Sequence, residues 1–191
     1  MGSWGATTAD ESKPKYLTDA EKRDCYADST GWTVPAGGNG NPAADRETLV
    51  AIGGLAGGTS TTVRLASGTI SSTRFITTAL SAASGGAFSA EVIYNEEVDV
   101  DTTGGTPTMT VTNETDAARN VVLDYTSGTG TNRLTFTATV AGDATNEDDV
   151  LAVQADSVAL NDGTIKDKGT NVDSELTHAA QAATTKITVG A

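Results

Sequence analysis

The chain is poor in the residues that most enzyme and metal sites need. Its 191 residues include one cysteine and one histidine, which excludes an internal disulfide and a zinc site built from several cysteines and histidines. Aromatic residues make up 5% of the chain, which argues against a large pocket that stacks sugars or buries a cofactor. No apolar run approaches the roughly 20 residues of a membrane-spanning helix. We therefore expect no enzyme activity, no cofactor and no membrane partner.

Basic residues are also scarce. The chain has 12 Lys and Arg against 25 Asp and Glu, a net charge of −13. Because nucleic acid repels an acidic surface, we expect no nucleic-acid partner. The charge is unevenly spread: residues 1–50 carry −3, residues 51–85 carry +2 and residues 86–191 carry −12. This division predicts an N-terminal segment, a connector and an acidic C-terminal domain.

The N-terminal segment has one helix signal and little else that folds locally. Thr18 and Glu21 have the spacing of a capping box, in which each side chain bonds to the backbone of the other. The box predicts a short helix over about residues 19–27. Residues 35–42 are a loop of Gly, Pro and Asn with almost no side chain to bury. We therefore expect residues 1–55 to form an extended docking arm that becomes ordered only on another protein.

Short segments of strand character fill the rest of the chain. Residues 47–52, 61–66 and 69–78 are the first of them, and residues 56–85 form either a small separate sheet or the first strands of the next domain. Residues 86–191 contain about seven short strands. In the first, Phe88, Ala90, Val92 and Tyr94 share one face, and 134–140 alternates most clearly between apolar residues and threonines. The sequence therefore predicts an all-β fold: an Ig-like β-sandwich over 86–191, preceded by an extended arm with one short helix.

Residues that could support catalysis lack the surroundings that catalysis needs. His178 lies among small residues, and no nucleophile-elbow motif occurs in the chain. Glu91, Glu96, Glu97 and Asp99 are close in sequence but lie in an acidic, polar run, whereas a general acid needs an apolar pocket that raises its pKa. We interpret these carboxylates as a solvated face of the domain.

Calcium is the one ligand that the acidic residues suggest. Two oxygen-rich stretches hold the candidates, which are Glu96, Asp99 and Asp101 in the first and Asp143 and Asp148 in the second. Ca²⁺ prefers such hard oxygen donors from loops between strands. Neither stretch has EF-hand spacing, and an ordinary acidic surface is the alternative interpretation.

Both tryptophans lie in the N-terminal segment. Trp4 and Trp32 occupy stretches with no evident room to bury an indole. An exposed tryptophan in an arm often anchors into a pocket of a partner protein. The alternative is that Trp32 or Trp4 packs back on the chain's own sandwich.

Residues 3–22 and 31–52 resemble an N-terminal region of virion structural proteins from myophages that infect marine cyanobacteria. The shared motifs are Ser3-Trp4-Gly5, Lys13-Pro14-Lys15-Tyr16-Leu17, Gly31-Trp32 and Glu47-Thr48-Leu49-Val50-Ala51. In those proteins the motifs precede C-terminal parts that vary. The resemblance implies a virion protein whose arm contacts the particle through Trp4, Pro14, Tyr16, Leu17, Trp32, Leu49 and Val50.

Residues 91–171 are similar to a bacterial Ig-like repeat of large surface and haemolysin-type proteins. Segments such as 91–100 and 125–153 carry this similarity, while residues 166–171 depart from the turn that usually ends the repeat. The repeat is a spacer or adhesive module, which implies no active site.

Together the two resemblances imply a phage virion structural protein. We expect a capsid decoration or cement protein on the virion surface, in a symmetric array or homo-oligomer, with the major capsid protein or another virion protein as its partner. A tail, neck or fibre component would show the same features, and a bacterial cell-surface or secreted Ig-like adhesion module is a further alternative.

Overall fold

The structure is a computed structural model that describes residues 13–40, 42–57 and 65–191. We call residues 13–57 the arm and residues 65–191 the sandwich. The elements of the arm are α1 (Asp19–Asp24), β1 (Tyr26–Asp28), β2 (Gly31–Val34) and β3 (Glu47–Ala51). Those of the sandwich are β4 (Ile70–Phe75), β5 (Gly86–Asp101), β6 (Thr108–Asn113), β7 (Val121–Ser127), β8 (Thr131–Val140), β9 (Val150–Ala152), β10 (Val158–Ala159), β11 (Thr164–Asp167) and β12 (Ile187–Thr188), with short 3₁₀ turns at Ala117–Arg119 and Ala183–Thr185.

The described strands form one connected all-β network, which confirms the predicted fold class. Its main path runs β12-β9-β6-β7-β8-β5-β1-β2-β3, while β4 and β11 also pair with β5 and β10 pairs with β6. The strand β5 is central because its 16 residues pair with β4, β8, β11 and β1. These pairings are antiparallel except for β1 with β5, which is parallel.

The core of the sandwich follows the alternation that the sequence predicts. Phe88, Ala90, Val92 and Tyr94 on β5 are all fully buried, because every second side chain of a strand points to the same face. The neighbouring strand β8 supplies Leu134 and Phe136, which pair with Val92 and Ala90, to the same cluster. The ring centroids of Phe75 and Phe88 lie 5.4 Å apart, so β4 contributes to this core from its own side of β5.

The connector at 56–85 belongs in part to the sandwich. Residues 70–75 form β4, which pairs with residues 90–94 of β5. Of the two alternatives for this region, the structure therefore supports first strands of the domain that follows. Most of the strand predicted at 61–66 falls on residues 58–64, which lie outside the described residues.

The predicted helix exists but is shorter than expected. Thr18 and Glu21 form the capping box, with the Glu21 N–H donating to Thr18 Oγ1 and the Thr18 N–H donating to the Glu21 carboxylate. The helix ends at Asp24 rather than near residue 27, because Cys25 is extended and Tyr26 already pairs with Thr33 of β2. Tertiary pairing has overridden helix continuation here.

The arm has a small apolar core of its own. Its buried members are Leu17, Cys25, Ala27, Trp32, Val34, Leu55 and Ala56, with Leu49, Val50, Ile52 and Leu65 packed against them. Burial raises the pKa of the Cys25 thiol to about 11 and lowers the pKa of Lys13. An extended arm would have no such core; it exists because strands β1 to β3 bring together apolar residues that are far apart in sequence.

The arm folds onto its own sandwich. Ala27 of β1 pairs with Glu96 of β5, within the stretch where the pairing of β5 with β8 is interrupted. Asp24 also forms an ion pair with Arg133 of β8, with 2.6 Å between Asp24 Oδ1 and Arg133 Nη2. The expectation that the arm becomes ordered only on another protein is therefore wrong for the described part of it.

Trp32 is an internal residue and not an exposed anchor. Its exposed fraction is 4%, and the Lys13 ammonium lies 5.8 Å from the centre of its ring. The expectation of an exposed Trp32 fails because β2 lies between β1 and β3, which leaves the indole enclosed in the arm core. The alternative interpretation, packing within the chain, is the one that the structure supports.

Replacement of Trp32 by alanine should destabilise the isolated protein. We expect a loss of about 3–5 kcal/mol in the free energy of unfolding, as for other buried aromatic residues. Urea unfolding followed by circular dichroism measures this loss. Tyr16→Ala is the matched control, because Tyr16 is 69% exposed and its removal should change the stability by less than about 0.5 kcal/mol. Equal stability of Trp32→Ala and Tyr16→Ala would contradict the internal position of Trp32.

Candidate functional site: an acidic cleft between arm and sandwich

A polar cleft lies where the arm meets the sandwich. Its volume is about 200 Å³, enough for several water molecules or a small group. The arm lines it with Asp28, Ser29, Arg46, Ala56 and Gly57, and the sandwich lines it with Glu96, Glu97, Asp167, Lys168 and Gly169. Four of the ten lining residues are carboxylates and two are cations, so the cleft is the main concentration of charge at this junction.

Asp28 forms part of the arm wall and is fully engaged by local donors. Its Oδ1 accepts hydrogen bonds from the backbone N–H groups of Thr30 and Gly31 and from the Thr30 hydroxyl. The Thr33 hydroxyl donates to Oδ2 over 3.1 Å, and Arg46 Nη1 lies 3.6 Å from the same oxygen. Asp28 therefore stabilises the turn between β1 and β2, and both of its carboxylate oxygens already have partners.

Both cations of the cleft are directed at Glu97. Arg46 Nη1 lies 3.3 Å from Glu97 Oε1, and Lys168 Nζ lies 2.9 Å from Glu97 Oε2. Because Arg46 belongs to the arm and Glu97 to the sandwich, this ion-pair cluster bridges the two parts. The cluster is partly exposed, so its contribution to stability is small.

Glu96 is the exceptional residue of the cleft. Its exposed fraction is 1%, and neither of its carboxyl oxygens has a hydrogen-bond donor among the described residues. Burial, together with the neighbouring Asp167 carboxylate, raises the pKa of Glu96 from 4.5 to about 8. The carboxyl group is therefore mostly protonated near neutral pH, which avoids the large cost of a buried, unpaired charge.

Strand alternation explains how Glu96 and Asp167 come together. Glu96 continues the buried series of Phe88, Ala90, Val92 and Tyr94, so it occupies a core position of β5. On β11, Asp167 lies opposite Val98, one step along the same face, and is 2% exposed. Extending the alternation of β5 by one further step, two residues beyond Tyr94, would have revealed an inward-facing glutamate.

The predicted calcium ligands do not form a site. In the part of the chain that the structure describes, no three His, Cys, Asp or Glu residues lie close enough to hold a metal ion. In the first stretch, Asp99 and Asp101 are exposed while Glu96 is buried, because successive side chains of β5 point to opposite faces. Asp143 and Asp148 belong to the loop between β8 and β9, where both adopt positive φ angles and are exposed. The fold thus separates the side chains of these candidates and does not gather them into one site among the described residues.

The predicted arm anchors separate into buried and accessible residues. Pro14 and Leu17 are buried, Leu49 and Val50 are half-buried, and Tyr16 is exposed. Trp4 lies outside the described residues. Among the predicted anchors that the structure describes, Tyr16, Leu49 and Val50 therefore have side-chain surface that a partner could contact.

His178 has a serine neighbour that the sequence analysis did not anticipate. Ser157 Oγ lies 3.1 Å from His178 Nε2, but the Ser157 backbone N–H donates to the same nitrogen over 3.0 Å. Nε2 is therefore the unprotonated nitrogen, and Nδ1 donates to the Ala179 carbonyl over 2.9 Å. Since a backbone donor already occupies the Nε2 lone pair, the ring ties two loops together and is poorly placed to activate Ser157.

Comparisons with known proteins give no assignment for this geometry. No protein-family model matches the chain, and no match is found among curated proteins or among solved structures. Within the described residues, no helix is long and apolar enough to cross a membrane.

The wall of the cleft depends on a close approach of two glycines. A Cβ atom built on Gly169 would lie 1.7 Å from the Cα atom of Gly57, so the backbones of the arm and of the turn after β11 touch directly. A residue with a side chain at position 169 requires the two segments to separate.

Gly169→Ala should weaken the docking of the arm. We expect a loss of about 1–3 kcal/mol in the free energy of unfolding, the range for overpacked contacts. Gly53→Ala is the matched control, since a Cβ atom there meets nothing within 4 Å. Urea titrations of both variants measure the difference, and wild-type stability of Gly169→Ala would show that the two glycines do not touch in solution.

Proposed function

We propose that this chain is a structural protein of a phage virion, a decoration or cement protein of the capsid that is attached through its arm. Support comes from the resemblance of residues 3–22 and 31–52 to cyanophage virion proteins. The similarity of residues 91–171 to an Ig-like spacer module adds to it. The proposal assigns the chain no catalytic role, in keeping with the occupied lone pair of His178.

The observation that carries the docking part of the proposal is the open outer edge of β3. This strand ends the path of the sheet, and among the described residues it pairs only with β2. An unpaired strand edge presents N–H and C=O groups that can bind a strand of another protein. The strand lies in the segment that carries the virion resemblance, so we assign the edge to a β-strand of the particle.

The register of β3 identifies the backbone group that faces outward. The Ile52 N–H donates to the Thr30 carbonyl over 2.9 Å. Hydrogen bonds of an antiparallel pair alternate along the strand, so the N–H of Ala51 points away from β2. Leu49 is the additional residue of a β-bulge, because Trp32 pairs with Val50 and Thr33 with Thr48. Ala51 is thus the position at which an added strand would accept or donate main-chain hydrogen bonds.

Charge favours the same orientation of the protein on a particle. Residues 13–57 carry a net charge of −1, whereas residues 86–191 carry −12. An arm that is nearly neutral can approach a protein surface, while the acidic sandwich repels neighbouring copies and nucleic acid. Many copies on a symmetric shell would compensate for weak binding of each arm.

The position within the virion follows from copy number. A capsid decoration protein is expected in hundreds of copies per virion. A neck or tail component is expected in about a dozen copies or fewer, because the symmetry of those parts is lower. Quantitative mass spectrometry of purified virions separates the two. Absence of the chain from virions would refute the virion role and leave the adhesion module as the remaining alternative.

Ala51→Pro tests the docking edge. Proline removes the outward N–H of residue 51 without removing the bond between Ile52 and Thr30, so the protein should keep its fold. We expect binding to particles assembled without the protein to fall by about 10- to 100-fold, since a ladder bond is lost and the ring obstructs the added strand. Co-sedimentation measures the binding.

Ala51→Val is the matched control, because valine keeps the N–H and suits a strand. It should bind like the wild type. Equal binding of the valine and proline variants, with circular dichroism showing both folded, would exclude the β3 edge as the contact while leaving the virion role open.

A further inference from the structure

Glu96 and Asp167 are two buried carboxyl groups that line the same cleft. Among the described residues, neither oxygen of Glu96 has a hydrogen-bond donor, and the polar group beside it is the Asp167 carboxyl, which also accepts hydrogen bonds when ionised. Two carboxylates cannot bond to each other unless one is protonated. A carboxylic acid on one side and a carboxylate on the other satisfies the pair.

The donors around the pair identify which partner holds the proton. Oδ1 of Asp167 accepts hydrogen bonds from the backbone N–H groups of Gly169 and Thr170 and from the Thr170 hydroxyl, at 3.0, 2.6 and 2.7 Å. Glu96 has no such donors. Asp167 is therefore the acceptor of the pair, and Glu96 keeps the proton and donates a hydrogen bond to Asp167.

The remaining charged groups of the cleft do not replace the proton. Asp28 faces Glu96 from β1 and is occupied by its own turn, while Arg46 of the arm and Lys168 of the sandwich bind Glu97. Among the described residues, Glu96 therefore has no cation as a partner, although two cations line the same cleft.

The arm is what seals this pair from water. Ala27 of β1 pairs with Glu96 itself, and Ala56 and Gly57 line the cleft from the arm side. If the arm lifted, Glu96 would be hydrated and would ionise more readily, although Asp167 would stay beside it on the sandwich. Closure of the arm and retention of the proton are therefore linked.

We propose that the Glu96–Asp167 pair is a proton-dependent latch: the arm docks firmly while the pair shares one proton, and loss of that proton favours release of the arm. The latch is a property of the isolated chain, so its test is independent of any experiment on particles. A particle protein with such a latch would expose more of its arm at alkaline pH than at acidic pH.

The sign of the pH dependence follows from the two states. With the arm released, hydration lowers the pKa of Glu96 toward its ordinary value of 4.5, whereas in the docked state its pKa is about 8. Below about pH 4.5 both states hold the proton and the latch adds no pH dependence. Between the pKa of the released state and about pH 8 only the docked state holds the proton, so each unit of pH rise disfavours docking by up to about tenfold. Above about pH 8 both states have lost the proton and the dependence ends.

Glu96→Gln tests the latch directly. The glutamine amide donates to Asp167 at every pH, so the variant should lose the share of pH dependence that Glu96 contributes. Near pH 5 the variant and the wild type should have similar free energies of unfolding. Toward pH 8 the variant should become the more stable of the two, with a ratio of folded to unfolded protein that exceeds that of the wild type by on the order of tenfold or more. Urea titrations from pH 5 to 9 measure this difference in stability, with Trp32 fluorescence in a Trp4→Phe background reporting on the arm.

Asp99→Asn is the matched control, because it removes a carboxylate at an exposed site of the same strand. Its stability should keep the wild-type pH dependence.

A second variant keeps the latch testable if Glu96→Gln does not fold. In Asp167→Asn, the asparagine amide can donate to an ionised Glu96 while its carbonyl still accepts from Gly169 and Thr170. The pH dependence should then move toward lower pH and shrink. Parallel pH dependence of wild type and both folded variants would overturn the latch. A calcium experiment gives a second way to overturn the latch. Millimolar CaCl₂ would have to stabilise the wild type and abolish its pH dependence, without stabilising Glu96→Gln. A cation would then occupy the place of the proton.

Discussion

The contact between β1 and β5 determines how the whole chain is arranged. A long central strand loses its β8 partner for a few residues, and β1 of the arm pairs with it in that stretch. Once β1 is placed there, β2 and β3 extend the sheet and enclose the indole of Trp32. The same placement creates the cleft, because it brings the Asp28 turn of the arm over Glu96 and Asp167. An arm packed in this way is part of the fold, and its last strand, β3, pairs only with β2 among the described residues.

The arm and the sandwich are joined by contacts of very different strength. Apolar burial around Trp32 and the backbone contact of Gly57 with Gly169 are insensitive to salt and pH. The ion pairs of Arg46 and Lys168 with Glu97 are partly exposed and therefore weak. The protonated Glu96 is the part of this junction whose charge state changes near physiological pH. The junction thus combines a permanent apolar contact with one titratable contact, which is the arrangement that a reversible arm requires.

Local sequence signals predicted most of the sandwich but little of the arm. The capping box at Thr18 and the alternation from Phe88 to Tyr94 are read from neighbouring residues, and both appear in the structure as expected. The strands at 26–28 and 31–34 could not be predicted in the same way, because they are short and their apolar residues are buried by partners distant in sequence. Trp32 was misplaced for this reason. The buried pair could be predicted only in part. Glu96 lies two residues beyond Tyr94, so the alternation of β5 predicts that it is buried. Asp167 could be added only from the register of β11 against β5.

The most direct measurement of the central claim is hydrogen exchange on the purified, isolated protein near pH 6. If the arm is folded on its own sandwich, the backbone amides of β1 and β2 should exchange far more slowly than those of an unstructured chain and at rates comparable to β4. Exchange of these amides at the rate of an unfolded peptide, alongside a protected sandwich, would contradict the account and return the arm to the status of a segment that folds only on a partner.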